Sequence, residues 1–139
     1  MFDELSISFE NPATDPLGHN HVAGKLYCGR DQVELQYKMR DRAFKKNEPI
    51  TISFDYGEVE GVELVSRWFK PKLLIFQTRS PDKLADFPGA DVGRVELQVI
   101  RESVGDAKRV AALIDLKQSE AFVAESEDRL SARRRAGEP

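Results

Sequence analysis

Three basic residues in neighbouring strand-like segments are the first whose types and spacing suit a specific chemistry. Lys38 and Arg40 are two positions apart in the alternating segment 33–40, so they lie on the same face of a strand. Lys25, in the preceding segment, adds a third cation. Cations gathered on one strand face suit a phosphate cluster, which they bind through charge-assisted hydrogen bonds. Cations of the adjoining loop extend this candidate anion site: Arg42, Lys45 and Lys46.

The segment 67–72, Arg-Trp-Phe-Lys-Pro-Lys, suits a second chemistry, that of a protein contact. Adjacent residues of a strand point to opposite faces, so Trp68 and Phe69 cannot both face the core. We therefore expect at least one exposed aromatic ring beside Arg67 and Lys70, a combination that is enriched in protein interfaces. The alternative is that a neighbouring loop or the N-terminal arm covers the ring.

The sequence lacks the residue combinations that catalysis or metal binding requires. His19 and His21 lie together, but without a nearby cysteine or a defined carboxylate set their metal coordination would be incomplete. The segment 57–61 lacks the Lys-Ser/Thr ending of a phosphate-binding loop, and no nucleophile elbow is present. Glu58 and Glu60 belong to an acidic surface run. We expect a protein that is not an enzyme and uses neither a metal nor another cofactor.

Composition indicates one soluble domain. The chain has 139 residues, 40% hydrophobic and 32% charged, and no apolar run long enough to cross a bilayer. The N terminus lacks the features of a secretory signal, so a cytoplasmic location is expected. The net charge of -3 opposes nucleic-acid binding, although cations concentrate in 25–46. Cys28 is the only cysteine and is expected to be a buried, inert thiol.

Alternating polar and apolar residues predict about seven short strands. The segment 33–40 alternates over its whole length, and 50–54 continues the pattern with Ile50, Ile52 and Phe54 facing inward. Residues 73–76 are apolar at every position, which indicates a strand covered on both faces. Residues 5–9 alternate apolar and polar side chains, which is compatible with a short strand near the N terminus. Residues 83–87 form either a weak strand or a loop tucked against the core.

A helix is predicted after the strand 94–100. Its buried stripe follows the i, i+3, i+4, i+7 spacing and consists of Ala107, Val110, Ala111 and Ile114. Ser103 and Asp106 have the spacing of a capping box, which predicts the start of the helix; the alternative is that Asp106 itself is the cap. Because the upstream segments read as strands, this helix is expected to close the only core.

The order of these elements resembles the pleckstrin homology-like superfamily: seven short antiparallel strands and one C-terminal amphipathic helix. The segment 84–114, with Leu-Ala-Asp-Phe-Pro-Gly-Ala-Asp and Arg-Val-Glu-Leu-Gln-Val-Ile-Arg before an alanine-rich helix, resembles uncharacterised bacterial members. The resemblance implies a partly open barrel that the helix plugs, and a binding role rather than catalysis. It covers 24–116, which leaves 1–23 as an acidic arm and 117–139 as a charged helical or disordered tail.

We therefore expect a non-catalytic binding domain that contacts a protein partner or self-associates, since an open sheet edge can pair across chains. The alternative is binding of an anionic lipid or a phosphoinositide-type head group. Lys25 and Lys38 loosely resemble the lysines with which some pleckstrin homology domains grip inositol phosphates. Acids interspersed among the cations favour instead a strand face that is only solvated.

Overall fold

A computed structural model of the chain describes residues 4–12, 21–40 and 48–137. Within these ranges, the first antiparallel sheet contains four strands in sequence order: β1 (Leu5–Asn11), β2 (His21–Cys28), β3 (Gln32–Arg40) and β4 (Ile50–Asp55). The second contains three: β5 (Val59–Arg67), β6 (Lys70–Thr78) and β7 (Arg94–Gln98). The helix α1 (Val104–Gly137) follows. The prediction of a mainly β fold, a partly open barrel with one C-terminal helix, is confirmed.

Both sheets and the helix contribute to one hydrophobic core. Alternate side chains of each strand face inward, as the period of two requires. The largest fully buried side chains come from both sheets and from the loop before β7: Ile7, Phe9, Leu26, Leu35, Tyr37, Phe54, Leu74, Phe76, Leu84 and Leu97. The aromatic rings pack on one another, with the Tyr37 and Phe87 centroids 4.8 Å apart and those of Phe54 and Phe76 5.2 Å apart.

The N-terminal strand that the sequence allowed is an integral part of this core. Leu5, Ile7 and Phe9 are buried, and β1 pairs with β2 along its whole length. Residues 5–11 therefore belong to the barrel, whereas the sequence analysis assigned 1–23 to an arm outside it. The physical reason is that burying each of these apolar side chains contributes about 1.5–3 kcal/mol, which is enough to hold a short strand in place.

The start of the helix is fastened to β1. The hydroxyl of Ser103 accepts a hydrogen bond from the backbone N–H of Ser8 at 2.9 Å, and the Ile100 N–H donates to the Ser8 carbonyl at 3.0 Å. Asp106 forms an ion pair with Arg109, one turn along the helix. These contacts hold the connection between β7 and α1 against the end of the barrel.

The helix packs on the core along its first four turns. Ala107, Val110 and Ile114 are buried, as the predicted stripe requires, while Ala111 is only half-buried. Gln118 then donates two hydrogen bonds from Nε2, to the carbonyl oxygens of Tyr56 at 2.8 Å and Val59 at 2.7 Å. None of the helices in the described part of the chain combines the length and the apolar character needed to span a bilayer.

Two details of the strand prediction change. Ile50 was expected to face the core but is 39% exposed, because it begins the edge strand β4 where the core ends. The segment 83–87 is the loop rather than the strand: a 3-10 turn spans Pro81–Leu84, and Leu84 and Phe87 are buried.

The close approach between β2 and β3 requires a glycine at position 24. A Cβ at Gly24 would lie 1.9 Å from the Gln36 carbonyl oxygen.

Candidate functional site

The hairpin between β5 and β6 exposes both of its aromatic loop residues. Arg67 is paired with Lys70, so Trp68 and Phe69 alone form the loop, and they are 85% and 93% exposed. At least one exposed ring was expected from the sequence. Among the described residues, no loop or strand covers either ring. We call Trp68 and Phe69 together the hairpin tip.

The backbone of the hairpin tip is strained. Phe69 has a φ of 58°, in the left-handed region, which costs a residue other than glycine roughly 1–2 kcal/mol. The two rings contact each other edge to face, with their centroids 5.1 Å apart, an interaction of about 0.5–1.5 kcal/mol. The tip is therefore an ordered apolar projection whose sequence is poor for the turn that it makes. Strain of this kind concentrates at functional sites.

Arg67 holds the hairpin together instead of extending its contact surface. Its Nε and Nη2 atoms donate to the Pro71 carbonyl oxygen at 3.1 and 2.8 Å. Lys72 donates from Nζ to the Ser66 hydroxyl at 2.7 Å, across the same hairpin. Lys70 is exposed, and its side chain makes no hydrogen bond or ion pair with any residue that the structure describes. Of the two cations predicted beside the aromatic rings, only Lys70 is therefore free to meet a partner.

A cleft of about 530 Å³ lies at the base of the hairpin tip, between the hairpin, the end of β1 and the connection from β7 to α1. Three cations line it: Lys70, Lys72 and Arg101. Glu10 is the one acid among its described lining residues, and its Oε1 lies 3.0 Å from Nε2 of His21. We call this space the cationic cleft. The sequence alone does not predict this cleft, because Arg101 is distant in sequence from the hairpin and no local pattern connects them.

The structure brings together two of the six predicted anion-site residues. Lys25 and Lys38 are exposed on the outer face of the first sheet, where Lys25 lies opposite Gln36 and Ala23 opposite Lys38, so the two lysines are diagonal neighbours. Arg42, Lys45, Lys46 and the side chain of Arg40 lie outside the described part of the chain. Glu34 shares this face and accepts hydrogen bonds from Gln32 and Gln36.

Glu58, assigned by the sequence to a surface run, is at the centre of a hydrogen-bond network. Its carboxylate accepts hydrogen bonds from Lys83 at 3.0 Å, from the Ser80 hydroxyl at 2.7 Å and from the Asp55 N–H at 3.1 Å. These donors, Lys83 foremost, lower the pKa of Glu58 to about 2. Since the network ties the corner between β4 and β5 to the loop before β7, its role is structural.

The nucleophilic and metal-binding candidates have surroundings that give them no evident chemistry. Cys28 is buried, and burial raises the pKa of its thiol to about 12, so the thiol stays protonated at neutral pH. No group of three or more His, Cys, Asp or Glu side chains in the described ranges could hold a metal ion. His21 contacts Glu10, and His19 lies outside the described residues.

The hairpin tip and the cationic cleft beneath it are thus the strongest candidate site in the described part of the chain. No protein-family model, curated protein or solved structure matches this chain.

Proposed function

We propose that this chain is a non-catalytic binding domain with a pleckstrin homology-like arrangement, which binds a partner protein or a second copy of itself through the hairpin tip. Support for the arrangement comes from the order of elements, a four-stranded and a three-stranded antiparallel sheet followed by a helix that packs on the core. A fold alone does not determine function, so support for the contact comes from the tip itself.

The exposure of both aromatic rings is the observation that carries this proposal. Trp and Phe side chains each bury about 150–250 Å² in a contact, and aromatic residues are frequent anchors of protein interfaces. Phe69 has a φ of 58°, a backbone conformation that glycine and asparagine adopt at least cost. If this turn served only to stabilise the fold, glycine or asparagine would be expected at position 69. Two aromatic residues at this position therefore favour a role in contact over a role in folding.

Site-specific photo-crosslinking in the native host tests the contact. Benzoylphenylalanine replaces Trp68 in the test variant and Lys108, which is exposed on α1, in the control. We expect a discrete cross-linked species from position 68, lost when Phe69 is also changed to Ala, and none from position 108. The mass of the species identifies the partner, because twice the chain mass indicates a second copy. Equal cross-linking at the two positions, or none at position 68, would contradict the proposal.

Light scattering on the purified chain tests the self-association version separately. A dimer that dissociates on Trp68→Ala supports self-association through the hairpin tip. A strict monomer at high concentration, with no change in the variant, leaves a different protein as the partner. The matched control is Lys108→Ala, at an exposed position on α1.

Binding of an anionic lipid or a phosphoinositide-type head group is the second candidate. The neighbouring exposed positions of Lys25 and Lys38 on one strand face favour it, while Glu34 on the same face opposes it. Co-sedimentation with phosphatidylserine vesicles at low salt tests this candidate. Binding that is lost in Lys25→Glu/Lys38→Glu but kept in Trp68→Ala would support it, and the absence of vesicle binding would remove it.

A further inference from the structure

We infer that the cationic cleft receives an acidic segment of the partner, so that a protein is recognised by apolar contact at the hairpin tip and by carboxylates in the cleft beneath it. This inference rests on the proposed function and adds the chemistry of the partner. The two surfaces are continuous, because Lys70 and Pro71 belong to the hairpin and also line the cleft.

The charges of the cleft are available to a partner. The side chains of Lys70 and Arg101 make no hydrogen bond or ion pair within the described ranges, and the side chain of Lys72 bonds only to the uncharged hydroxyl of Ser66. The carboxylate of Glu10 is directed toward His21 on the neighbouring strand. Three cations and a single acid, Glu10, therefore line a common space, and a patch with this excess of positive charge is complementary to an anionic ligand.

The shape of the cleft suits a chain segment. Its volume is about 530 Å³, and Val99, Ile100 and Val104 give it an apolar wall next to the cations. Concave sites with apolar walls and a few converging polar groups are typical of sites that bind small ligands or side chains. A segment with carboxylates beside apolar residues would use the cations, the wall and the hairpin tip together.

An acid beside the site favours a protein over an anionic membrane surface. Glu102 is exposed and follows Arg101 directly in the sequence. A flat bilayer surface that received the hairpin tip would bring its anionic head groups toward this carboxylate, which repels them. A peptide segment can follow the cleft and keep its own acids away from Glu102.

Selection from a pool of random 12-residue peptides displayed on phage tests the inference with the full chain as bait. The pool is first depleted on Trp68→Ala/Phe69→Ala and then selected on the wild type. We expect the enriched peptides to be acidic and to carry apolar residues next to their acids. Affinity for the enriched peptides, measured by fluorescence anisotropy, should fall at least about tenfold between 50 mM and 500 mM salt, because screening weakens charge attraction between exposed groups.

A charge-reversal pair locates the acidic contact. Lys70→Glu/Arg101→Glu should weaken peptide binding more than about tenfold, whereas the matched reversal Lys25→Glu/Lys38→Glu, on the outer face of the first sheet, should change it less than about twofold. All four positions are exposed, so the variants are expected to keep the thermal stability of the wild type. Melting curves check that they do.

The results separate the inference from the proposed function. Enriched peptides that depend on Trp68 and Phe69 but show no excess of acids, or equal losses in the two reversal pairs, would overturn the inference and leave the hairpin-tip contact standing. Failure to enrich any peptide dependent on the tip would overturn both. Binding to phosphatidylserine vesicles that requires Trp68 and Phe69 would overturn the inference in favour of a membrane surface.

Discussion

The side-chain amide of Asn11 forms two hydrogen bonds with the backbone of β7, at Gln98 and Glu96. Its Oδ1 accepts a hydrogen bond from the Gln98 backbone N–H at 2.8 Å, and its Nδ2 donates to the Glu96 carbonyl at 2.8 Å. β1 belongs to the first sheet and β7 to the second, so one side chain reproduces a pair of ladder bonds between sheets. An isolated bridge between Phe9 and Val99 continues the connection. The end of β1 thereby becomes a wall of the cationic cleft.

The first prediction concerns this connection. Asn11→Ala leaves the Gln98 N–H and the Glu96 carbonyl without their partner, so the free energy of unfolding should fall by about 1–3 kcal/mol. Urea denaturation at pH 7 measures the loss. Glu96→Ala removes an exposed side chain and keeps the backbone acceptor, and it should cost less than about 1 kcal/mol. Equal losses in the two variants would contradict a joining role for Asn11.

The second prediction concerns the Glu58 network and its pH dependence. Folding lowers the pKa of Glu58 from 4.5 to about 2, so its contribution is complete above the unfolded pKa and is lost as pH falls toward the folded pKa. Glu58→Gln should therefore lower the free energy of unfolding by about 1–3 kcal/mol at pH 7. The difference between wild type and variant should shrink below pH 4.5. Urea denaturation at pH 7, 4 and 3 measures it, and Glu60→Gln, at a neighbouring exposed acid, is the control. A difference independent of pH would count against this account.

The third prediction uses two strained turns, one directly before β6 and one directly before β7. Phe69 has a φ of 58° and Val92 a φ of 47°, and Val92 is 81% exposed. Val92→Asn creates an Asn-Gly turn with Gly93 and should raise the free energy of unfolding by about 1 kcal/mol. Phe69→Asn should not lower it, because relief of about 1–2 kcal/mol of backbone strain offsets the lost ring contact of about 0.5–1.5 kcal/mol.

The two substitutions are expected to differ in their effect on partner binding. Phe69→Asn should abolish the cross-link formed from position 68, while Val92→Asn should leave it intact. Thermal melting and cross-linking of the same two variants provide both measurements. A marked loss of stability in Phe69→Asn would mean that the ring is kept for folding, and this would argue against the hairpin tip as a contact surface.

Local patterns predicted most of the barrel, because the inward residues of a strand or helix are read from neighbours in sequence. The alternation around Leu35 and the stripe through Val110 both identify buried side chains correctly. The cationic cleft could not be found this way. It joins Lys70 to Arg101 through the pairing of β6 with β7 and through the return of the chain into α1, and neither has a local signal. The strain at Phe69 was also hidden, since the sequence shows an aromatic pair and not its φ.

The last prediction tests how the helix closes the core. Val110 is fully buried, so Val110→Asp places a carboxylate without a partner in apolar surroundings, at a cost of more than about 4 kcal/mol, which should unfold the domain. Ala112→Asp introduces the same side chain two residues along, on the exposed face of α1. It should change the free energy of unfolding by less than about 1 kcal/mol. Circular dichroism and the dispersion of amide NMR signals distinguish the two outcomes. A folded Val110→Asp variant with wild-type signals would mean that the helix can leave the barrel without loss of the core.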